Sequence, residues 1–313
     1  MIYRVAFATG PTDVVGSDDT DRPYHEAACT GAGMELSYQV WSDPDVEWDR
    51  YDLVVVRSTW DYLDHQDQFR AWLGRVGALG TLENAAPVID WNLDKRYLID
   101  LAATGVPVIP TAVCEDDESV AMALGGLFGE VVVKPATSAG SRLTGRFAAS
   151  SPEAGVLASL ILAEGNSVLV QPAVASVALV GEVSTVLFAG QISHSVRKGP
   201  LLALGGGHVG GVYTEQLTPE PLTRVRQALV ESTVMAVARL VRDRFGITEP
   251  LLYARIDVVT MDDGTEAVLE VELAEPAFFL PIAPEAAERF AAEVVRRAAL
   301  RSGPASIGRS RTP

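Results

Sequence analysis

Four charged side chains are spaced two apart on two neighbouring β-like runs. Arg255 and Asp257 lie in Leu252–Thr260, and Glu270 and Glu272 in Glu266–Leu273. Between the runs stands Asp263-Gly264, a strong signal for a two-residue hairpin turn. A turn centred there sets Asp257 opposite Glu270 and Arg255 opposite Glu272. Alternation then puts all four on one face of the hairpin. The opposite face carries Ala254, Ile256, Val258, Leu269, Val271 and Leu273, is wholly apolar, and must pack on a core. Adjacent acids repel unless a cation sits near them. Arg255 partly answers that, and a hard divalent cation with oxygen ligands answers it better, which makes Asp257, Glu270 and Glu272 candidate ligands for Mg²⁺ or Mn²⁺. A solvated, charged strand face is the plainer alternative.

Further cations and turns suit phosphate. Lys134 directly follows the apolar run Val131–Val133 and can hold a phosphate as a point charge or sit on a solvated sheet edge. After it, Ser138, Ala139, Gly140 and Ser141 form a small-residue turn whose backbone N–H groups can wrap an anion. Lys95 precedes an apolar helical stripe of Leu98, Leu101 and Ala102, and taken alone is an ordinary surface lysine. The run from Leu204 to Gly211 holds five glycines. It is neither a Walker loop nor a dinucleotide fingerprint, and reads as a mobile surface loop or a lid.

These groups need elements to position them. Ile2–Ala8, Leu36–Val40 and Leu53–Val56 are apolar runs separated by helices at Pro23–Ala32 and Gln66–Val76, with a third helix over Asn92–Ala103. That pattern predicts a parallel sheet with helices on its faces. Farther on, Val131–Val133, Val168–Val170 and a hairpin of Glu182–Phe188 with Gln191–Val196 predict antiparallel sheet. The loop at Ala189-Gly190 fits two or three residues. Thr218 as N-cap and Pro219 at the first helical position predict a helix to Phe245, closed by Gly246. A last helix covers Pro284–Leu300, and Ser302 onward reads as a disordered tail.

Composition narrows the partners. The chain has 313 residues, 48% of them hydrophobic, enough for more than one compact unit. Lys plus Arg is 25 against 41 Asp plus Glu, for a net charge of −16, which argues against nucleic acid and anionic membranes as partners. Cys29 and Cys114 match no metal spacing, and the four histidines form no spaced cluster. The first ten residues read as a strand rather than a leader, and no apolar run approaches about 18 residues, so a cytoplasmic protein is expected.

In their order along the chain, these pieces resemble the ATP-grasp superfamily. Asp94-Lys95-Arg96-Tyr97-Leu98 before Gly105–Thr111 is similar to its first nucleotide lysine. Val132-Val133-Lys134-Pro135 with Ser138–Ser141 is similar to its second lysine and phosphate loop. Val168–Pro172, with Gln171 and Pro172 at its end, is similar to the hinge under adenine, and Gly181-Glu182 to the acid on ribose. Arg255-Ile256-Asp257 and Glu270-Val271-Glu272 resemble the phosphate arginine and the metal carboxylates, although Glu272 stands where glutathione synthetases have Asn. The resemblance covers about residues 1–300. It implies an α/β and α+β architecture: an N-terminal Rossmann-like domain (1–110), a small ATP-grasp subdomain (111–175), a large catalytic subdomain (176–301) and the tail (302–313). It also implies ATP and Mg²⁺ as cofactors, and carboxylate activation as an acylphosphate for attack by a nitrogen. Dimers are common in the superfamily.

A narrower resemblance rests on Arg57–Tyr62, Trp91–Lys95 and Ser193–Lys198. It is to the actinobacterial ATP-grasp enzymes that include the cycloserine-forming O-ureido-serine cyclo-ligase, and it implies ring closure on a small amino-acid-like substrate. Arg57, at the carboxyl end of the third strand, is a candidate for the substrate carboxylate or for an interface salt bridge. Lys198 can reach a γ-phosphate or acylphosphate, or end a solvated strand. His194 is a structural residue or else a base or substrate ligand. Intermolecular peptide or amide ligation, phosphoryl transfer to a hydroxyl, and a non-catalytic nucleotide-binding module remain alternatives.

Overall fold

A computed structural model describes residues 2–11, 19–207 and 215–301. The first four strands, β1 (Arg4–Thr9), β2 (Glu35–Val40), β3 (Leu53–Ser58) and β4 (Leu82–Glu83), form a parallel sheet in the order β2-β1-β3-β4. Its central strands are apolar through Val5–Ala8 and Leu53–Val56, because both faces are covered there. Val5, Phe7, Leu53 and Val55 pack against helix Arg22–Gly31 and the last helix of the chain, Ala286–Arg301. Ala6, Ala8, Val54 and Val56 pack against Phe69 and Trp72 of helix Gln66–Gly77.

The helix expected over Asn92–Ala103 is two helices, Ala86–Leu93 and Tyr97–Ala103. Asp94 breaks it by accepting the Arg96 N–H on its side chain at 2.9 Å, and the Lys95 N–H donates to Ala136 O at 2.8 Å. A tertiary hydrogen bond thus replaces a helical one, and Lys95 is carried to the start of the next sheet.

That sheet is antiparallel, with β5 (Ala112–Cys114), β6 (Glu130–Pro135), β7 (Gly145–Ala148) and β8 (Val168–Pro172) in the order β5-β8-β6-β7. Helices Asp117–Gly125 and Pro152–Ala163 close its apolar face.

The third sheet runs β11-β10-β9-β12-β13, from β9 (Glu182–Phe188), β10 (Gln191–Lys198), β11 (Leu217–Pro219), β12 (Tyr253–Thr260) and β13 (Glu266–Glu272). Phe188 pairs with Gln191, so the Ala189-Gly190 loop has two residues, both at positive φ (48° and 77°), as a type I′ turn requires. Helix Arg224–Phe245 covers one face of the sheet. On the other face, Val186, Phe188, Val196 and Tyr253 share a core with Val5 and Phe7 of the first sheet. That second face is therefore core at one end and, farther along the same strands, carries Glu182, Lys198, Arg255 and Asp257.

Two expectations need correction. Thr218 and Pro219 do not open the long helix. They pair with Arg197 and Val196 in β11, an edge strand, where a proline costs no ladder bond. The helix starts at Arg224, capped by Thr223, whose side chain accepts the Arg226 N–H. Gly246 does close it, at φ 70°. The β12–β13 turn is also not a two-residue one. The Met261 N–H donates to Thr265 O, enclosing three residues, and Gly264 adopts φ 84°. A bulge between Asp257 and Val258 on the pairing then removes the offset, so that Asp257 faces Glu270 and Arg255 faces Glu272. The expected pairs are present, through two irregularities that cancel. One casualty is Leu269, which leaves the main apolar face and packs with Ile109, Val174 and Val259. His208, Gly210, Gly211 and the tail from Ser302 lie outside the described residues.

Candidate active site

The paired acids of β12 and β13 are met by cations from three directions. Arg255 forks onto Asp257, Nε to Oδ1 and Nη2 to Oδ2, both at 3.0 Å, and its Nη2 also donates to Glu272. Lys198, at the end of β10, reaches across β9 to Asp257 Oδ2 at 3.3 Å and pairs with Glu182. Lys95 reaches Glu270 Oε1 at 3.1 Å and donates to Ser138 O at 2.6 Å. Lys134 is buried at the end of β6, within the field of Glu270 and Lys95. The first two cations belong to the third sheet, Lys134 to the second sheet, and Lys95 to the broken helix. The site is thus a junction between two antiparallel sheets.

Burial and charge set the protonation states. Burial lowers the Lys134 pKa, and Lys95 adds to that, against the pull of Glu270. Burial also opposes the Lys198 ammonium, but Asp257 and Glu182 outweigh it and hold its pKa above the ordinary lysine range. Burial would raise the pKa values of Asp257 and Glu270. Arg255 and Lys198 hold Asp257 below the usual carboxylate range, and Lys95 and Lys134 do the same for Glu270. Burial raises Glu182 despite Lys198. Glu272 is pushed up to about 8 by burial, with Glu270, Asp257 and Glu275 adding to it against Arg255. Glu275 is pushed up to about 7, chiefly by burial.

Asp257 and Glu272 share the single Arg255 guanidinium, and Glu272 is the acid of this group that burial and its acidic neighbours push up. A hard divalent cation fits such a set, since its donors are all oxygens and it would supply the missing charge. Asp257, Glu270 and Glu272 are the residues that would hold it. Among the described residues, no three His, Cys, Asp or Glu side chains already converge on one point. The acids are turned to Arg255 and Lys95 instead.

The free edge of β13 is held by the segment around Lys95. Asn92 pairs with it as a strand would, Nδ2 donating to Val271 O at 2.8 Å and Oδ1 accepting the Leu273 N–H at 2.6 Å. The Tyr97 hydroxyl accepts the Val271 N–H at 2.8 Å. Ile109 and Pro107 exchange backbone bonds with Val268. The same segment thus places Lys95 and fixes the strand that bears Glu270 and Glu272. Neither Asn92 nor Tyr97 stood out as functional in the sequence, although both lie in runs whose resemblance was noted.

Beside Lys134, the chain curls through Gly140 (φ 59°), Ser141 (φ 57°) and Leu143 (φ 51°), and Ser138 O at the start of this turn accepts from Lys95. Gln171 is buried and donates to Thr111 Oγ1 at 2.8 Å, and Pro172 ends β8 beside the apolar helix Ala175–Val180. Gly181 joins that helix to Glu182 at φ 80°, with a Cβ placed there only 1.7 Å from Lys198 O. Only glycine fits between the two site strands at this point.

Arg57 and His194 are not brought into this cluster. Arg57 is 4% exposed, lies 3.6 Å from Asp21, and stacks over the Phe278 ring at 3.7 Å. His194 Nε2 lies 2.7 Å from Phe278 O. A carbonyl only accepts, so Nε2 carries the proton and Nδ1 accepts from Ser193 Oγ. Burial lowers its pKa. Asp21 in turn accepts the N–H groups of Phe278 (2.5 Å) and Leu280 (2.7 Å). All three residues clasp the Phe278–Leu280 turn. Asp21 and Glu275 carried no signal in the sequence.

Comparison with known proteins agrees with this geometry. Residues 5–84 match the family described as D-cycloserine synthetase DcsG, N-terminal domain. The cycloserine biosynthesis protein DcsG of Streptomyces lavendulae is 34% identical over 288 residues, spanning 89% of this chain and 94% of that protein. The crystal structure of D-cycloserine synthetase DcsG superposes with a TM-score of 0.87 at 32% identity, over 95% of this chain and 100% of that one. The D-alanine–D-alanine ligase of Bacillus anthracis, complexed with ATP, shares the fold at a TM-score of 0.65 and 14% identity, over 95% of this chain and 97% of its own. An N-terminal parallel sheet, two antiparallel sheets with a lysine-rich junction, and a relative this similar along nearly its whole length lead to one assignment: the chain belongs to the DcsG family of ATP-grasp ligases.

Proposed function

We propose that this ligase uses ATP to phosphorylate the carboxylate of a small amino-acid-like substrate, and that the substrate's own ureido nitrogen then closes the ring. The carboxylate oxygen attacks the γ-phosphorus and ADP leaves. The ureido nitrogen attacks the acyl carbon and phosphate leaves. Water then removes the carbamoyl group as carbon dioxide and ammonia. The observation that carries this reading is the junction itself, where Lys95, Lys134, Lys198 and Arg255 meet beside paired acids, in a chain 34% identical to a cycloserine biosynthesis protein.

In this reading Lys95, Lys134 and the Ser138–Ser141 turn hold the phosphates. Gln171 and Pro172 lie at the adenine, and Glu182 at the ribose. Arg255 and Lys198 stabilise charge on the transferred phosphoryl group, where fixed cations in a water-poor site act most strongly. Mg²⁺, held by Asp257, Glu270 and Glu272, would supply the charge those acids lack. Arg57 and His194 act one step back, by setting the Phe278–Leu280 turn. Residues 1–110, 111–175 and 176–301 serve as the three working units.

The test is ADP and phosphate release with Mg²⁺-ATP, comparing O-ureido-D-serine alone with pairs of amino acids. Release with the single compound, together with a cyclic product by mass spectrometry, is expected. Release only with pairs refutes ring closure.

A further inference from the structure

Glu275 leaves β13 three residues after Glu272 and differs from every other acid of the junction. Asp257 and Glu272 are paired with Arg255, Glu182 with Lys198, and Glu270 with Lys95. Glu275 forms no ion pair among the described residues. Its hydrogen-bonding partner is the Tyr62 hydroxyl, a neutral group that is itself 3% exposed and belongs to the N-terminal unit. Lys95, Arg255 and Arg57 act on it only through their fields, and none of them forms an ion pair with it among the described residues. Its side chain is half-buried. The result is a partly desolvated carboxylate at the rim of the reaction centre, facing the N-terminal unit, with no counter-ion of its own. Leaving such a group unpaired is costly, and a bound cation removes the cost.

We infer that Glu275 is the anchor for the α-ammonium group of the substrate, with Tyr62 orienting its carboxylate. This rests on the reading of the site as one that activates an amino-acid-like carboxylate. In an α-amino acid the ammonium nitrogen is two bonds from the carboxyl carbon. A carboxylate delivered to Lys95 and Arg255 therefore brings its ammonium group to the one acid that feels both of them and lacks a partner. Holding the carboxylate and the ammonium together leaves the side chain one direction in which to fold back onto the acyl carbon. Glu275 thereby governs which amino acids, and which hand, can react. The ion pair also keeps the amine protonated, so that it does not compete as a nucleophile.

The experiment compares O-ureido-D-serine with its des-amino counterpart, 3-(ureidooxy)propanoate, in the wild type and in Glu275→Gln, with Mg²⁺-ATP present. A charged hydrogen bond is worth about 1.5–3 kcal/mol, or roughly 10- to 150-fold in affinity. The wild type should prefer the amino compound by that factor in KM. Glu275→Gln should raise KM for the amino compound by a similar factor, leave the des-amino compound within about twofold, and leave nucleotide affinity unchanged. An equal loss with both compounds, or a loss of Mg²⁺-ATP affinity, overturns the proposal. So does a wild type that does not discriminate between the two, a result that needs no variant to fold. If the wild type turns over neither compound, ring closure has failed. Glu275 is then tested by ADP release with other amino acids and their des-amino forms, where absence of discrimination refutes it separately.

Discussion

Asn92→Leu tests whether the segment around Lys95 holds the acid-bearing strand. Leucine keeps the same branched arrangement of heavy atoms but can neither donate to Val271 O nor accept from the Leu273 N–H, bonds of 2.8 and 2.6 Å. Asn92 is 8% exposed, so water does not replace it readily. A buried polar group left without a partner costs about 1–3 kcal/mol, and two are stranded, giving a loss of about 2–6 kcal/mol. Against a total stability on the order of 5–15 kcal/mol, that is large. Urea unfolding followed by circular dichroism, with the m-value checked for constancy, measures it. Asp90→Ala on the same helix is the control. Its exposed pair with Arg70 is worth less than about 1 kcal/mol. Turnover should also fall, because β13 carries Glu270 and Glu272. A loss below about 1 kcal/mol for Asn92→Leu, no larger than the control, would refute the strand-holding argument.

Glu270→Gln removes the acid beside Lys95 and Lys134. It should leave a folded protein of lower melting temperature, because Lys95 and Lys134 lose their counter-charge, and it should abolish Mg²⁺-dependent ADP release; full activity in the folded variant would remove Glu270 from the metal site. Arg57→Ala leaves Asp21 buried without its cation and should cost about 3–5 kcal/mol in stability. A higher KM with unchanged stability would instead make Arg57 a substrate ligand. His25 is enclosed by Phe7, Phe278 and Phe290, neither ring nitrogen has a hydrogen-bond partner among the described residues, and burial holds its pKa well below 6.5. The unfolded chain therefore takes up a proton that the folded one refuses, and stability should fall by about 1.4 kcal/mol per pH unit as pH drops below 6.5. His25→Phe should remove that part of the slope between pH 6.5 and 5.5, and identical slopes would show that His25 titrates freely in the fold.

The strands were legible because they are continuous apolar runs bounded by turn residues, as in Leu53–Val56. The acid pairs were legible because they recur every second residue beside Asp263-Gly264. What stayed hidden depends on groups far apart in sequence. The helix break at Lys95 has a local part, the Asp94 side chain on the Arg96 N–H, and a distant part, Ala136 O on the Lys95 N–H, which no local pattern shows. Thr218 and Pro219 carry a helix-start pattern that a strand pairing with Val196 and Arg197 overrides. For Arg57 and His194, residue type and place left a structural role and a catalytic or substrate-binding one both open. Their partner is a turn near Phe278, 84 residues beyond His194. Glu275 lies past the strand end, where alternation no longer predicts direction.

The bulge near Asp257 has a consequence for how this hairpin tolerates change of length. Beyond it, Thr260 pairs with Glu266, and within it, Asp257 pairs with Glu270, so that Leu269 is the residue in excess. Removing Leu269 would leave both of those pairings as they are. A deletion inside the strand, one residue from a proposed metal ligand, is thus one that the hydrogen-bond ladder can absorb. Related hairpins can differ in length here and still present the same two acids. Residue positions carried from one relative to another should be matched through the Arg255–Glu272 pairing and not by counting from the turn, because that count misplaces Glu270 by one residue and assigns it to the wrong side of the sheet.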